Sequence, residues 1–254
     1  MARQTRRKSE SGIYHVILRG INKQVIFEDD EDRSNFLECL QHYKKSCQFK
    51  IYGYCLMDNH IHLLLKESEH DLSIIMKRIG IRYVSWYNRK YNRCGHLFQD
   101  RFKSEIVEDD GYLLGVLRYI HQNPLRAGLV QSLDSFKVSS YTEYIHGEQI
   151  VEADFILDIF STDKSEAVRS FKQFMNEKVK DICFLDYYEK TIVTDDAAIV
   201  LIRQYADVKS ASELQAMEKR ERDELLRKIK LIKGLSTRQI ARLTGISQSV
   251  IARA

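Results

Sequence analysis

Two histidines one residue apart, His60 and His62, sit at the start of the run HIHLLLK at 60–66. In a β-strand the side chains alternate, so both imidazoles project to one face while Ile61 and Leu63 point to the other. Two imidazoles on one sheet face make a natural pair of metal ligands, although an isolated HxH is more often a pair of half-exposed hydrogen-bonding residues. A second feature shifts that balance. A helix predicted over 109–122 carries Tyr119, and four residues on, at its end, Asn123 on the same face. Packed across the histidine face, this helix would bring the Asn123 amide oxygen in as a third ligand, with Tyr119 alongside. Imidazole and carbonyl oxygen together suit Mg²⁺ or Mn²⁺ with positions left open for substrate oxygens, rather than a closed structural zinc site. Such a centre is suited to phosphate.

These groups need a scaffold. IYHVILR at 13–19 is β-branched and apolar enough for a strand and runs into the turn-like Gly20-Ile21-Asn22. The acidic EDDED at 28–32 leads into a helix with Phe36, Leu37, Leu40 and Tyr43 at helical spacing. Strands follow at 49–57 and 60–66, hairpinned through Asp58-Asn59. A long helix covers 72–91, a short strand 104–107, and Asp109 caps the helix that Asn123-Pro124 is expected to stop. The order βαββαβ plus α predicts an α+β fold: a ferredoxin-like antiparallel sheet with helices on one face, followed by an all-helical C-terminal extension. The expected domains are 1–147 for the sheet and its chemistry, 148–207 as a helical connecting region, and 208–254 as a DNA-reading helix-turn-helix.

Composition narrows the function classes. The chain has 254 residues, 44% hydrophobic and 30% charged, with one proline, which suits one large or two smaller cores and excludes a disordered or linker-dominated protein. No signal-like or membrane-spanning apolar run is present, so a cytoplasmic protein without a membrane partner is expected, nucleoid-associated only if its partner is DNA. Five scattered cysteines with no CxxC argue against a disulfide framework or zinc ribbon. The net charge of +4 conceals a segregation. Arg3, Arg6, Arg7 and Lys8 open the chain with no acid among residues 2–8, and seven basic residues occupy 225–254, again without an acid. The remaining 29 of the 40 Lys and Arg face all 36 Asp and Glu, so basic ends flank an acidic body, a pattern that points to a polyanionic partner.

The motifs YCLMDNHIHLLL at 54–65, HLFQDRFKS at 96–104 and LRYIHQNPLRAGLV at 117–130, with RGINKQVIF at 19–27, resemble the single-tyrosine HUH transposases, in particular the REP-associated tyrosine transposases. The resemblance spans roughly residues 12–146 with the motifs in the family's order. It implies that His60 and His62 are the HUH metal ligands, that Tyr119 is the nucleophile, and that Asn123 replaces the helix-borne polar ligand, often glutamine in other branches. It further implies a metal-dependent enzyme that cleaves and rejoins single-stranded and hairpin DNA through a 5′-phosphotyrosine, as a monomer or a homodimer. The chemistry is consistent with the residues. A free tyrosine is only about 0.1% phenolate at pH 7, so the nucleophile needs help that a cation on the scissile phosphate can supply. The covalent link conserves the phosphodiester energy, in keeping with the absence of a GxxxxGK[ST] loop.

Other residues compete or assist. Tyr83, Tyr87 and Tyr91 recur at i, i+4 and i+8 beside Trp86, which reads as core packing first and as a base-stacking platform second. Tyr112 lacks an Asn four residues on. Arg101, Lys103, Arg118 and Arg126 are candidate phosphate contacts. Asp58 is either a support for the histidines or a turn residue, and His96 and Gln99 receive no role. In the tail, LSTRQIARLTGISQSVIAR at 235–253 has helix-turn-helix proportions, with Ile240, Ala241, Leu243, Val250 and Ile251 inward. Arg238, Gln248, Ser249 and Arg253 then suit duplex DNA. Two alternatives remain: a domesticated non-catalytic DNA-binding regulator, and a nuclease using a metal-bound water.

Overall fold

The computed structural model describes residues 7–147, 149–177, 184–185, 195–208, 210–232 and 234–254. Arg3, Arg6, Cys183 and Lys233 lie outside them. The chain divides into two compact units, Met1–Tyr187 and Tyr188–Ala254. No helix among the described residues is long and apolar enough to cross a membrane.

The first unit is built on four antiparallel strands, β1 (Ile13–Arg19), β2 (Lys50–Met57), β3 (His60–Lys66) and β4 (Lys103–Val107), in the order β2-β3-β1-β4. Between them run α1 (Asp30–Cys47) and α2 (Leu72–Lys90), and α3 (Asp110–Arg126) follows β4. This is the predicted α+β order. β1 and β3 are central and covered on both faces, which is why they read as nearly unbroken apolar runs. α1 starts on a capping box in which Asp29 and Asp32 satisfy each other's backbone N–H groups. α1 and α2 pack on one another, and their buried faces join the core on the side of the sheet bearing Ile61, Leu63 and Leu65.

The opposite face belongs to α3, so helices cover both faces of the sheet rather than the one face expected, because the His60–His62 face is also too apolar to be left to solvent. The register Cys55↔His62 and Ile17↔His62 places Gly53, Cys55, His15 and Ile17 on the histidine side. Gly53 permits the approach: a Cβ there would lie 2.5 Å from Leu117 Cδ1. α3 does not stop before Pro124 as expected. It runs on to Arg126, with Ala127 N–H donating to the Asn123 carbonyl at 3.0 Å. Proline removes one donor from the ladder, but Pro124 is buried along with most of the helix before it, and packing outweighs the missing bond. Asn123 thereby keeps helical geometry and its i, i+4 relation to Tyr119.

Among the described residues three further α-helices follow in this unit: α4 (Glu143–His146), α5 (Ala153–Leu157) and α6 (Lys164–Asn176). Buried Glu143 anchors this stretch, accepting from the Tyr54 hydroxyl at 2.6 Å and from the N–H groups of Gln149, Ile150 and Val151 at 2.6–3.0 Å. Residues of the predicted connecting region thus occur in both units, since α7 (Asp195–Ala206) lies in the second.

In the second unit α7 is followed by α8 (Lys219–Lys230), α9 (Thr237–Thr244) and α10 (Gln248–Arg253). Ser236 caps α9, its hydroxyl accepting from Gln239 N–H at 3.1 Å. Gly245 closes α9 in the left-handed conformation at φ 72°, where a Cβ would also strike the Gln215 side chain. Ile240 and Ile251 are fully buried with Ile202, Leu214, Leu226 and Ile229 in a core of their own, while Ala241, Leu243 and Val250 pack at its margin.

Candidate active site

His60 and His62 enter on β3 and Asn123 on α3, and the three side chains meet. The Asn123 amide lies between the imidazoles, its Nδ2 donating to His62 Nε2 at 3.1 Å and its Oδ1 3.4 Å from His60 Nε2. The imidazole rings are 5.0 Å apart at 81°. Tyr119, one turn before Asn123, stands edge-on to His62 at 5.6 Å between ring centroids. The site residues predicted to converge from separate motifs do so.

Each imidazole is oriented from behind. Asn59 Nδ2 donates to the Lys23 carbonyl at 3.3 Å, which turns Asn59 Oδ1 toward His60 Nδ1 at 2.7 Å. The Nδ1 proton of His60 is thereby committed, and in the neutral ring Nε2 carries a lone pair facing another acceptor, Asn123 Oδ1. Two acceptors aimed at each other are a poor contact without a cation and a good one with it. His62 is held by a residue the motif reading missed. His15 of β1 lies fully buried beside it, with His15 Nε2 3.1 Å from His62 Nδ1 and the rings stacked at 5.3 Å. The available signal was an imidazole inside the otherwise apolar stretch of IYHVILR, in phase with the histidine face.

Burial sets the charge states. Desolvation pushes the His15 imidazole down to about 3 and drives His62 well below its ordinary value, with the neighbouring His15 and His60 adding to the effect. Neutral imidazoles are what a metal ligand requires. Among the described residues no group of three His, Cys, Asp or Glu side chains is arranged to hold a metal, so the candidate set depends on the amide oxygen. Two imidazole nitrogens and one amide oxygen would leave positions of a divalent cation open.

Around Tyr119 the surroundings are cationic and aromatic. The ring is 7% exposed, Phe184 packs on it at 5.4 Å, and the Arg126 guanidinium lies 5.3 Å from its centroid. Arg126 is exposed and able to meet a phosphate as well. Lys103 and Arg101 are exposed too, and Lys103 pairs with Ile17 on the histidine side of the sheet. Arg118 is placed differently. It is buried, its guanidinium 4.1 Å from the Phe174 ring and 3.1 Å from Glu177 Oε2, so it fastens α6 to α3 rather than facing a ligand. Asp58 turns its carboxylate to Arg33 at 2.5 Å, an ion pair with α1. The HLFQDRFKS stretch also has a structural part, since Ile21 N–H donates to the Leu97 carbonyl and Gln99 N–H to the Arg19 carbonyl. Arg238, Gln248, Ser249 and Arg253 are all exposed on α9 and α10.

Comparison with known proteins points the same way as the motifs. Residues 8–123 match the family described as "Transposase IS200 like". A Haemophilus influenzae protein named as a candidate REP-associated tyrosine transposase is 24% identical over 163 residues, 58% of this chain and 90% of that protein. Among solved structures, a REP-associated tyrosine transposase bound to a REP hairpin superposes with a TM-score of 0.50 at 16% identity, over 57% of this chain and 86% of its own. The first likeness bears out the resemblance read from the motifs, and the last bears out the fold.

Proposed function

We propose, with an IS200-like transposase domain over residues 8–123 as the premise, that this protein cleaves and rejoins single-stranded DNA bearing a hairpin. Tyr119 is the nucleophile. The observation that carries the reading is the meeting of His60, His62 and Asn123 one helical turn from Tyr119, assembled from two separate elements. The Tyr119 oxygen attacks phosphorus, the P–O3′ bond breaks, and the products are a 5′-phosphotyrosine and a free 3′-hydroxyl, which takes up a proton. Reversal by a second 3′-hydroxyl rejoins strands without an external energy source.

His60, His62 and Asn123 would hold Mg²⁺ or Mn²⁺, which when bound withdraws charge from the scissile phosphate. The chain's own residues do the rest. Asn59 and His15 keep the two Nε2 atoms turned inward, and the helical geometry of α3 fixes Tyr119 relative to Asn123. Arg126, its guanidinium 5.3 Å from the centre of the tyrosine ring, is placed to meet the phosphate that Tyr119 attacks. Arg126, Arg101 and Lys103 are the phosphate contacts in this reading. The second unit is proposed to read duplex DNA through α9 and α10, with Arg238, Gln248, Ser249 and Arg253 facing the groove or backbone.

End-labelled single-stranded hairpins incubated with Mn²⁺ or Mg²⁺ should give a protein-linked band on a denaturing gel. The band should vanish in Tyr119→Phe and in His62→Ala. Cleavage that persists in Tyr119→Phe would replace the tyrosine mechanism with a metal-bound water. Binding without cleavage on every hairpin would make the protein a regulator.

A further inference from the structure

His15 has no place in the family motifs quoted above, yet it sits at the centre of the site. It occupies β1 two residues before Ile17, the strand partner of His62, and directly opposite Glu105 of β4. Glu105, His15 and His62 therefore form a diagonal row across three adjacent strands on one sheet face. His15 is fully buried where an aliphatic residue would pack without desolvating an imidazole. Its Nε2 meets His62 Nδ1 at 3.1 Å. Its Nδ1 has no hydrogen-bond partner and points toward Glu105 Oε2, 4.0 Å away.

The protons can be assigned in order. The Asn123 Nδ2 group only donates, so His62 Nε2 accepts and carries the lone pair. A neutral imidazole has one N–H, which in His62 must then be on Nδ1, donating to His15 Nε2. By the same count the His15 proton is on Nδ1, directed at the Glu105 carboxylate. Glu105 is steadied in turn by the Leu185 N–H, which donates to Oε2 at 3.0 Å.

We propose that His15 is a positioning residue: with its Nδ1 side facing the Glu105 carboxylate, it locks His62 in the Nδ1–H tautomer, so that the Nε2 lone pair faces the cation site. The proposal rests on the metal role given to His62 above. An Nε2–H tautomer cannot bind a cation at Nε2, and a row of carboxylate, imidazole and imidazole behind the ligand excludes it. An aliphatic residue at position 15 would preserve packing and leave His62 free to change tautomer.

Long-range proton–nitrogen correlation spectra of the metal-free, ¹⁵N-histidine-labelled full chain test this directly. His15 and His62 should both appear as Nδ1–H tautomers in the unaltered protein. In His15→Leu, His62 should lose that preference, and Mn²⁺ affinity measured by electron paramagnetic resonance should fall about 10- to 100-fold. His15→Gln, whose side-chain oxygen can still accept from His62 Nδ1–H, should recover part of the loss, and Glu105→Ala should show a smaller one. Should His15→Leu fail to fold, the unaltered spectrum and Glu105→Ala still decide. An Nε2–H tautomer at His62 in the unaltered protein would overturn the proposal. So would Mn²⁺ affinity within about twofold of the parent in a folded His15→Leu. If the unaltered protein binds no Mn²⁺, the metal reading fails by itself, while the tautomers of His15 and His62 still judge the lock.

Discussion

The two sides of the sheet use tyrosine in opposite ways. On the side of α1 and α2, Tyr83 is fully buried and donates to the Ile26 carbonyl, Tyr87 donates to Glu28, and Tyr91 to Asp32. Burial raises all three phenols, Tyr87 to about 12, and the nearby Glu28 and Asp32 carboxylates push the same way. These hydroxyls are held protonated and used as donors. On the other side Tyr119 faces two neutral imidazoles and has a guanidinium over its ring. A tyrosine's chemistry is set by what surrounds it: one side of the sheet holds its phenols protonated as hydrogen-bond donors, and the other sets a phenol beside two imidazoles and a guanidinium.

The largest expected effect separates those two populations. Tyr119→Phe should reduce the covalent DNA adduct to background. Tyr87→Phe, which removes only a donor to Glu28 and the Val25 carbonyl, should keep adduct formation close to the parent level and cost about 1 kcal/mol of stability. Denaturing gels and chemical denaturation read the two outcomes. An adduct lost equally in both variants would break the contrast.

Next comes the seat of α3. Gly53→Ala would press a methyl group against Leu117, so α3 must shift, at about 1–3 kcal/mol for overpacking. Because α3 carries Tyr119 and Asn123 while β3 carries the histidines, a displacement on the order of 1 Å should lower the cleavage rate about 10²-fold. Single-turnover kinetics would check it, with a rate near the parent's showing that α3 tolerates the intrusion.

The sides should also differ in their response to pH. His15 on the sheet face beneath α3 and His121 on α3 itself, both buried, are each pushed down to about 3. The unfolded chain takes up protons below about 6.5 that the folded imidazoles refuse, so their contribution is full above that pH and declines as pH falls toward 3. From pH 6.5 to 5 the loss is about 2 kcal/mol for each such histidine. The tyrosines of α2 act at the other end, their contribution complete below pH 10 and lost as pH rises toward about 12 for Tyr87. Urea midpoints measured in chelator from pH 7 to 5 should fall, and a flat profile would mean the histidines are solvated.

Much of this was legible because the sequence carries it in short-range patterns. β-alternation put His60 and His62 together, i, i+4 spacing joined Tyr119 to Asn123, and the α2 tyrosines read as packing from their spacing. What escaped depended on register between distant strands. Nothing local says that residue 15 lies diagonal to 62, or that Glu105 stands opposite His15. Arg118 looked like a phosphate contact because its partners, Phe174 and Glu177, lie more than fifty residues along the chain. The end of α3 was misjudged because proline's local preference was weighed without the packing that overrides it.

The smallest expected effect concerns the second unit, whose chemistry differs from both sides of the sheet. Among the described residues its core is mainly aliphatic, with Ile202, Leu214, Leu226, Ile229, Ile240 and Ile251, and the polar groups assigned to DNA are exposed on α9 and α10. In the proposed reading buried groups set reactivity in the first unit, whereas exposed charge would set affinity here. Arg238→Ala in the full chain should therefore weaken duplex binding by only a few-fold at moderate salt and reduce the slope of log affinity against log salt by about 1. Cleavage of short single-stranded hairpins should be unchanged. A salt slope identical to the parent's would remove Arg238 from the phosphate contacts, and a parallel fall in hairpin cleavage would mean that α9 serves the tyrosine site as well as the duplex.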